Sequence, residues 1–243
     1  LAGGTKLYDL THRSNHGTLV SAAPAAKWLI DHGGLALELG TDEYVKISEK
    51  PSKDLLGNTS NWTFYAVIRD TQPTYVWTST RVFCYRNNTA GLGIGGWYVQ
   101  RSDAAKERPL DIYLYVNGSW HSVSFGYGFY NMQSASHICA VKQGLNITTY
   151  VNARMISTST LPAEVSYYGS YDSTGIGYYA LGGAGVSHTT STGPVRFYVV
   201  SLWRRAMSPA ELGEMYDQCL RQFQDLLNRR RRFWPVVSET AIP

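Results

Sequence analysis

From Leu35 to Trp203 apolar and polar residues alternate with a period of two, the pattern of strands that bury one face. The clearest case is NWTFYAVIRD, residues 61 to 70. It sets Trp62, Phe64, Ala66 and Ile68 on one side and Thr63, Tyr65, Val67 and Arg69 on the other. RVFCYR, GGWYVQ, LDIYLYVNGSWHSVSF, SHICAVKQGLNITTYVNARMI, GYYALGG and PVRFYVVSLW read the same way. Asn117-Gly118 and Gln143-Gly144 break these runs as short hairpin turns. Strand, turn and strand repeated with no helical segment between them argue against a parallel α/β arrangement. They predict an all-β fold, two antiparallel sheets packed as a sandwich.

The period changes once, near the end. SPAELGEMYDQCLRQFQDLL predicts a helix over 208–228, with Ser208 as N-cap, Pro209 in the first helical position and Glu211 completing a capping box. Leu212, Met215, Tyr216, Cys219, Leu220, Phe223, Leu226 and Leu227 recur every three or four residues, an apolar stripe that can dock. The remainder, 229–243, carries four successive arginines and then Phe233-Trp234-Pro235, and is expected to be an extended arm. The organisation predicted is therefore a sandwich over 1–207, an amphipathic helix over 208–228 and an arginine-rich arm over 229–243.

Composition fits one packed domain. The 243 residues are 44% hydrophobic and only 16% charged, with 18 tyrosines and 7 tryptophans, which excludes a disordered chain. No uninterrupted apolar run is long enough to span a bilayer, and no basic-then-apolar leader opens the sequence, so no membrane partner is expected. The formal net charge is +4, and Arg221 with Arg229, Arg230, Arg231 and Arg232, set against Asp225, account for all of it. Basicity this local does not suit a nucleic-acid binder, whose body carries a basic face. Cys84, Cys139 and Cys219 are odd in number and far apart, and read as buried free thiols, not a disulfide framework. Glycosylation sequons at Asn58, Asn61, Asn87, Asn117 and Asn146 are expected by chance in a chain this rich in Asn, Ser and Thr.

LYDLTHRSNHGTLV, residues 7 to 20, holds an acid and two histidines in a stretch with little regular pattern. It is followed by Trp28, GGLALELGTDEYVKI, WTFYAVIR and finally VSLWRRAMSPAELGEMY. In this order the words resemble laminin-G-like, concanavalin-A-like jelly-roll domains over roughly residues 7 to 217. The helix followed by RRRRFWP resembles members encoded by bacteriophages and environmental bacteria. The resemblance implies that Asn15-His16-Gly17 is the turn leading the first strand into a sheet edge, with Gly17 supplying a conformation closed to other residues. Asp9 would accept hydrogen bonds from the next turn. Neither His12 nor His16 has a nucleophile or metal-ligand spacing beside it.

Jelly rolls of this kind include glycan hydrolases, which need paired acids facing one cleft. No Glu-x-Asp-x-Glu strand exists here. In the acidic group Glu38, Asp42 and Glu43, the last two are adjacent and point to opposite sides of an extended chain. No enzymatic activity is expected. Gly91, Gly93, Gly95 and Gly96 lack the spacing of a dinucleotide loop and fit a bulged strand better. Many relatives of this kind bind calcium, but Gly40 stands where an Asp usually follows the strand, and Tyr198 and Val199 replace an acidic pair. Calcium is disfavoured, and no cofactor or metal site is expected.

Two readings of function remain. The first is a structural component of a particle, a phage virion surface or decoration protein at the virion surface or outside the cell. It would attach through Arg229, Arg230, Arg231, Arg232, Phe233 and Trp234 to other virion proteins or to further copies of itself. The alternative is a carbohydrate-binding module for cell-surface or extracellular glycans, with Trp97, Tyr98, Trp120 and His121 as the candidate contact residues.

Overall fold

The computed structural model describes residues 5–7, 16–21, 23–31, 34–40, 43–47, 60–70, 80–89, 92–101, 110–126, 135–165, 177–181 and 195–233. The predicted sandwich is present. One sheet has the spatial order β1 (Lys6–Leu7), β2 (Gly17–Val20), β5 (Tyr44–Ile47), β14 (Gly177–Leu181), β7 (Thr80–Thr89), β8 (Leu92–Arg101), β9 (Leu110–Val116), β10 (Ser119–Ser124). The second runs β13 (Arg154–Thr160), β12 (Asn146–Val151), β11 (Ser136–Gln143), β6 (Asn61–Asp70), β15 (Val195–Trp203), β4 (Gly34–Leu39), β3 (Trp28–Asp31). Every pairing among the described residues is antiparallel. Together these elements form an all-β jelly roll.

The two-residue period of β6 appears as two separate cores. Trp62, Phe64, Ala66 and Ile68 point into the sandwich, against Ile112 and Leu114 of the opposite sheet and Ile138 and Ala140 of β11. Tyr65 and Val67 point the other way, into a second cluster with Cys139, Val141, Tyr150, Leu212 and Cys219. The helix α1 (Pro209–Phe233) supplies the last two of these and so covers the outer face of the second sheet. Burying a side chain of Leu or Phe size is worth roughly 1.5–3 kcal/mol, so a central strand with both faces covered contributes twice over. Cys139 and Cys219 are buried free thiols, as expected.

The capping box forms as the sequence predicts. The Glu211 carboxylate accepts from the Ser208 amide at 2.8 Å, and the Glu211 amide donates to Ser208 Oγ at 3.3 Å. The helix ends later than predicted: Arg229 to Phe233 are helical, not extended. Arginine is a good helix former, and cations in the last turns complement the negative end of the helix dipole. Trp234 and the rest of the expected arm lie outside the described residues.

Gly17 corrects another expectation. It is buried within β2, paired with Leu7 on one side and Ile47 on the other, and is not part of a turn. Asp9, His12 and Asn15 lie outside the described residues. The glycines of β8 sit beside a register shift opposite Asn87 and Thr89, the irregular strand that their spacing suggested.

Hairpin geometry follows the glycines closely. Asn117 (φ 49) and Gly118 (φ 80) form the two-residue turn closed by Val116 and Ser119, as predicted. The next hairpin is closed by Gln143 and Asn146, so its turn residues are Gly144 and Leu145, one position later than expected. Gly144, at φ 56, takes the position that needs the left-handed region. A third turn, Asn152-Ala153, gave no glycine signal, and Ala153 is held at φ 61.

Lys142 is a polar residue at a core-facing position. It lies opposite Trp62 and is 0% exposed. Its Nζ donates to the carbonyls of Ser60 at 3.0 Å and Gly144 at 2.6 Å and pairs with the Glu164 carboxylate. Three donors meet three acceptors, so the aliphatic stem fills the end of the sandwich without stranding its charge.

Two stability outcomes follow from this geometry. Lys142→Ala empties the stem's volume and strips two carbonyls of their donor, and urea denaturation should show a loss of roughly 2–4 kcal/mol. Lys142→Met keeps the stem and should lose less. Ala153→Gly removes the Cβ strain at positive φ and should gain about 0.5–1 kcal/mol in the same assay.

Candidate functional site

Paired residues in antiparallel strands share a face, so the register across β7 to β10 gives the layout of the first sheet's outer surface. On β9, Leu110, Ile112, Leu114 and Val116 are buried in the sandwich, whereas Asp111, Tyr113 and Tyr115 alternate with them on the outer side and are partly exposed. Asp111 lies between Gln100 of β8 and Ser124 of β10, Tyr113 lies between Tyr98 and Ser122, and Tyr115 pairs with Trp120. One strand further, Arg81 is opposite Gln100, Cys84 opposite Tyr98, and Arg86 opposite Gly96. The sequence therefore places tyrosines, a tryptophan, serines and a carboxylate on one polar and aromatic face at the edge of the sheet, since β10 is the terminal strand.

Local contacts fix this patch. The Tyr115 and Trp120 rings meet edge to face, with centroids 5.1 Å apart at 62°. The Tyr113 hydroxyl donates to Asp111 Oδ2 at 3.5 Å. Desolvation raises the Asp111 carboxyl above its ordinary range, and the hydrogen bonds from Ser124 and Tyr113 only partly oppose it. Asp111 is thus a half-buried acceptor beside flat apolar rings.

The register separates the four residues that the sequence put forward. Trp120 lies on the outer face, and Tyr98 takes a register position in an outer row. Trp97 and His121 both pair with Leu114, which is 0% exposed, so their rows belong to the inner side of the sheet. Neighbours in a strand cannot share a face. Asp111, Tyr113 and Tyr115 were missed because their alternation marks a strand with one buried face but not which strand's outer residues lie beside Trp120. That requires the register set by the Asn117-Gly118 turn. Arg229, Arg230, Arg231, Arg232 and Phe233 occupy the last turns of α1, away from this patch in the chain.

Three other acids among the described residues, Glu43, Asp31 and Glu38, are engaged elsewhere. Glu43 accepts from Ser21 Oγ at 2.7 Å, from the Gly40 amide at 2.8 Å and from Lys27 Nζ at 2.7 Å. Burial raises its carboxyl, but the Lys27, Ser21 and Gly40 bonds outweigh that and lower it overall. A Cβ on Gly40 would sit 3.2 Å from Glu43 Oε2, so the glycine in this word serves the approach of its own carboxylate. Asp31 accepts from Arg69 at 3.0 Å, Arg196 at 2.7 Å and the Tyr198 hydroxyl at 2.6 Å, while Glu38 holds Arg196 Nε at 2.7 Å. An acid bonded in this way is not a general acid or base in waiting. Among the described residues no group of three metal-ligating side chains forms a cluster. Among them, too, no helix is long and apolar enough to cross a membrane.

No family model matches the chain, and no curated protein matches it. Solved structures do share its fold. The binding domain of Paraclostridial Mosquitocidal Protein 1 aligns with a TM-score of 0.62 at 12% identity, covering 89% of this chain and 50% of that one. The receptor-binding domain of botulinum neurotoxin type G aligns with a TM-score of 0.57 at 13% identity, over 84% of this chain and 46% of that one. A structure of botulinum neurotoxin type C, a toxin dependent upon interaction with two ganglioside molecules for getting into cells, aligns with a TM-score of 0.55 at 11% identity, over 75% and 42%. The chain spans about half the length of these structures. Identities this low show a common jelly roll; the narrower likeness to phage-encoded members rests on the sequence words alone.

The burial of Asp111 has a measurable sign. A carboxyl raised by folding binds its proton more tightly in the native state, so its ionisation costs stability that builds up as pH rises from the ordinary carboxyl value through the raised native one. Asp111→Asn should therefore raise the melting temperature at pH 7, with the gain shrinking as the pH falls through the raised native value and gone below the ordinary 3.8.

Proposed function

We propose that this protein is a non-enzymatic carbohydrate-binding module whose contact surface is the outer face of the β9–β10 hairpin. The observation that carries the reading is the row of Asp111, Tyr113 and Tyr115 along β9, with Trp120 paired to Tyr115, on one edge of one sheet. A pyranose ring has an apolar C–H face that stacks on aromatic rings and a rim of hydroxyls that need acceptors and donors. Trp120 and Tyr115 offer the first, and Asp111, Tyr113 and Ser122 the second. The desolvated carboxylate is a strong acceptor for a sugar hydroxyl, because hydrogen bonds to charged groups are shorter and stronger than neutral ones.

The fold comparisons add support of a general kind. The similar structures are binding domains, and one belongs to a toxin dependent upon gangliosides. Action outside the cell, on surface or extracellular glycans, accords with that company. The virion reading has no observation in its favour among the described residues, and attachment through Arg229 to Trp234 draws no support from the comparisons.

The test is a glycan array probed with the purified chain, followed by titration of any hit. Trp120→Ala should weaken binding at least tenfold and Asp111→Asn several-fold, with the strand fold intact by circular dichroism. Trp97→Ala should act through stability instead. An array with no hit, or a hit unaffected by Trp120→Ala, overturns the reading.

A further inference from the structure

The second sheet carries a buried histidine at the point where the helix docks. His137 is 5% exposed on β11, opposite Val67, and faces outward into the cluster beneath α1. Its Nδ1 shares a hydrogen bond with the Tyr65 hydroxyl of β6, the donor set by the ring's tautomer. Its ring meets Tyr216 of α1 edge to face, with centroids 4.6 Å apart. Its backbone is held on both sides by Asn152, whose Oδ1 accepts from the His137 amide at 3.0 Å and whose amide donates to the His137 carbonyl at 2.8 Å. The imidazole thus joins strand, hairpin turn and helix, and it does so in the neutral form.

We propose that His137 is an acid-operated latch: protonation of its ring undocks helix α1 and uncovers the apolar outer face of the second sheet. In the imidazolium both ring nitrogens are donors, so Nδ1 can only donate to the Tyr65 oxygen and Nε2 gains a proton that needs an acceptor of its own. The surroundings give the charge nothing in exchange. Facing it from β6 are Tyr65 and, further along, Arg69; from β11, Cys139; from β12, Tyr150; from β15, Tyr198; and from α1, Tyr216 and Cys219. Arg154, which closes the hairpin of Asn152, is an exposed cation. The acids on this face, Asp31 and Glu38, are already paired with Arg69 and Arg196, and Glu214 and Asp217 lie on the exposed side of the helix. A buried charge without a counter-ion is costly, so protonation favours the state in which the ring reaches water.

Burial depresses the docked imidazole from its ordinary 6.5 to about 4. Between those values the undocked form binds more protons, so docking weakens as the pH falls through 6.5 and the loss is complete below about 4. From pH 7.5 to pH 5 this favours the undocked helix by about thirtyfold. The device does not depend on the proposed glycan surface, which lies on the other sheet.

Hydrogen exchange on the full chain, corrected for intrinsic rates, tests it. Opening of residues 209–221 should rise about thirtyfold between pH 7.5 and pH 5, while β9 keeps its protection. His137→Gln, neutral throughout, should abolish the rise. An unchanged rise in that variant, or loss of protection in β9 in step with the helix, overturns the proposal. Should His137→Gln fail to fold, the wild-type ring settles it by NMR: titration of the ring together with helix exposure supports the latch, and titration near 6.5 with the helix still protected overturns it.

Discussion

The structure depends on one strand being buried from both sides. β6 lies between β11 and β15 at the centre of its sheet, and the residues of its segment from Trp62 to Ile68 are all buried. Its even-numbered side chains complete the sandwich, and its odd-numbered ones need a second cover. A two-layer jelly roll alone would leave Tyr65 and Val67 in water, so the helix is a requirement of the strand. Thr63 makes the link: its Oγ1 donates to the Arg205 carbonyl at 2.8 Å and accepts from the Met207 amide at 3.0 Å, which steers the chain from β15 into α1. One hydroxyl in the sheet thereby orients the segment that leads into the helix cap.

The two sheets then diverge in character. The outer face of the second is apolar where α1 packs and ion-paired beyond it, through Arg69, Arg196, Asp31 and Glu38. The first sheet's outer face, at β9 and β10, is aromatic and polar with its side chains partly exposed. One face is specialised for docking the protein's own chain, and the other has the composition that suits a hydroxylated ligand. Both arise from the same two-residue alternation, and the side chains on the unburied parity decide which outcome follows.

Much of the architecture was legible because it is written locally. The alternation in NWTFYAVIRD, the Asn117-Gly118 turn and the Ser208 capping box each involve residues close in sequence, and all three are present in the structure. What failed to show was set by distant partners or by strain that a short pattern cannot express. Nothing in the sequence ranks Gly17 as a strand residue, because its two partners, Leu7 and Ile47, come from opposite directions along the chain. Lys142 reads as a solvent position until the carbonyl of Ser60 and the Glu164 carboxylate are seen around it. For the candidate site, Trp120 was visible as an exposed aromatic, but its companions depend on the pairing of β9 with β10, and Trp97 sits in the wrong row for reasons only the register reveals.

The hairpin that presents the aromatic patch also carries, by chance or not, the pattern of a glycan acceptor at its tip. Asn117-Gly118-Ser119 is a sequon, and Asn117 is exposed at the very tip of the turn, three residues from Trp120. Wherever a eukaryotic secretory pathway glycosylates Asn117, the tethered oligosaccharide would sit beside the patch at high local concentration, able to occupy it in place of a free ligand. Material made in bacteria would present the same surface bare, so the choice of expression host would itself determine whether the face is open.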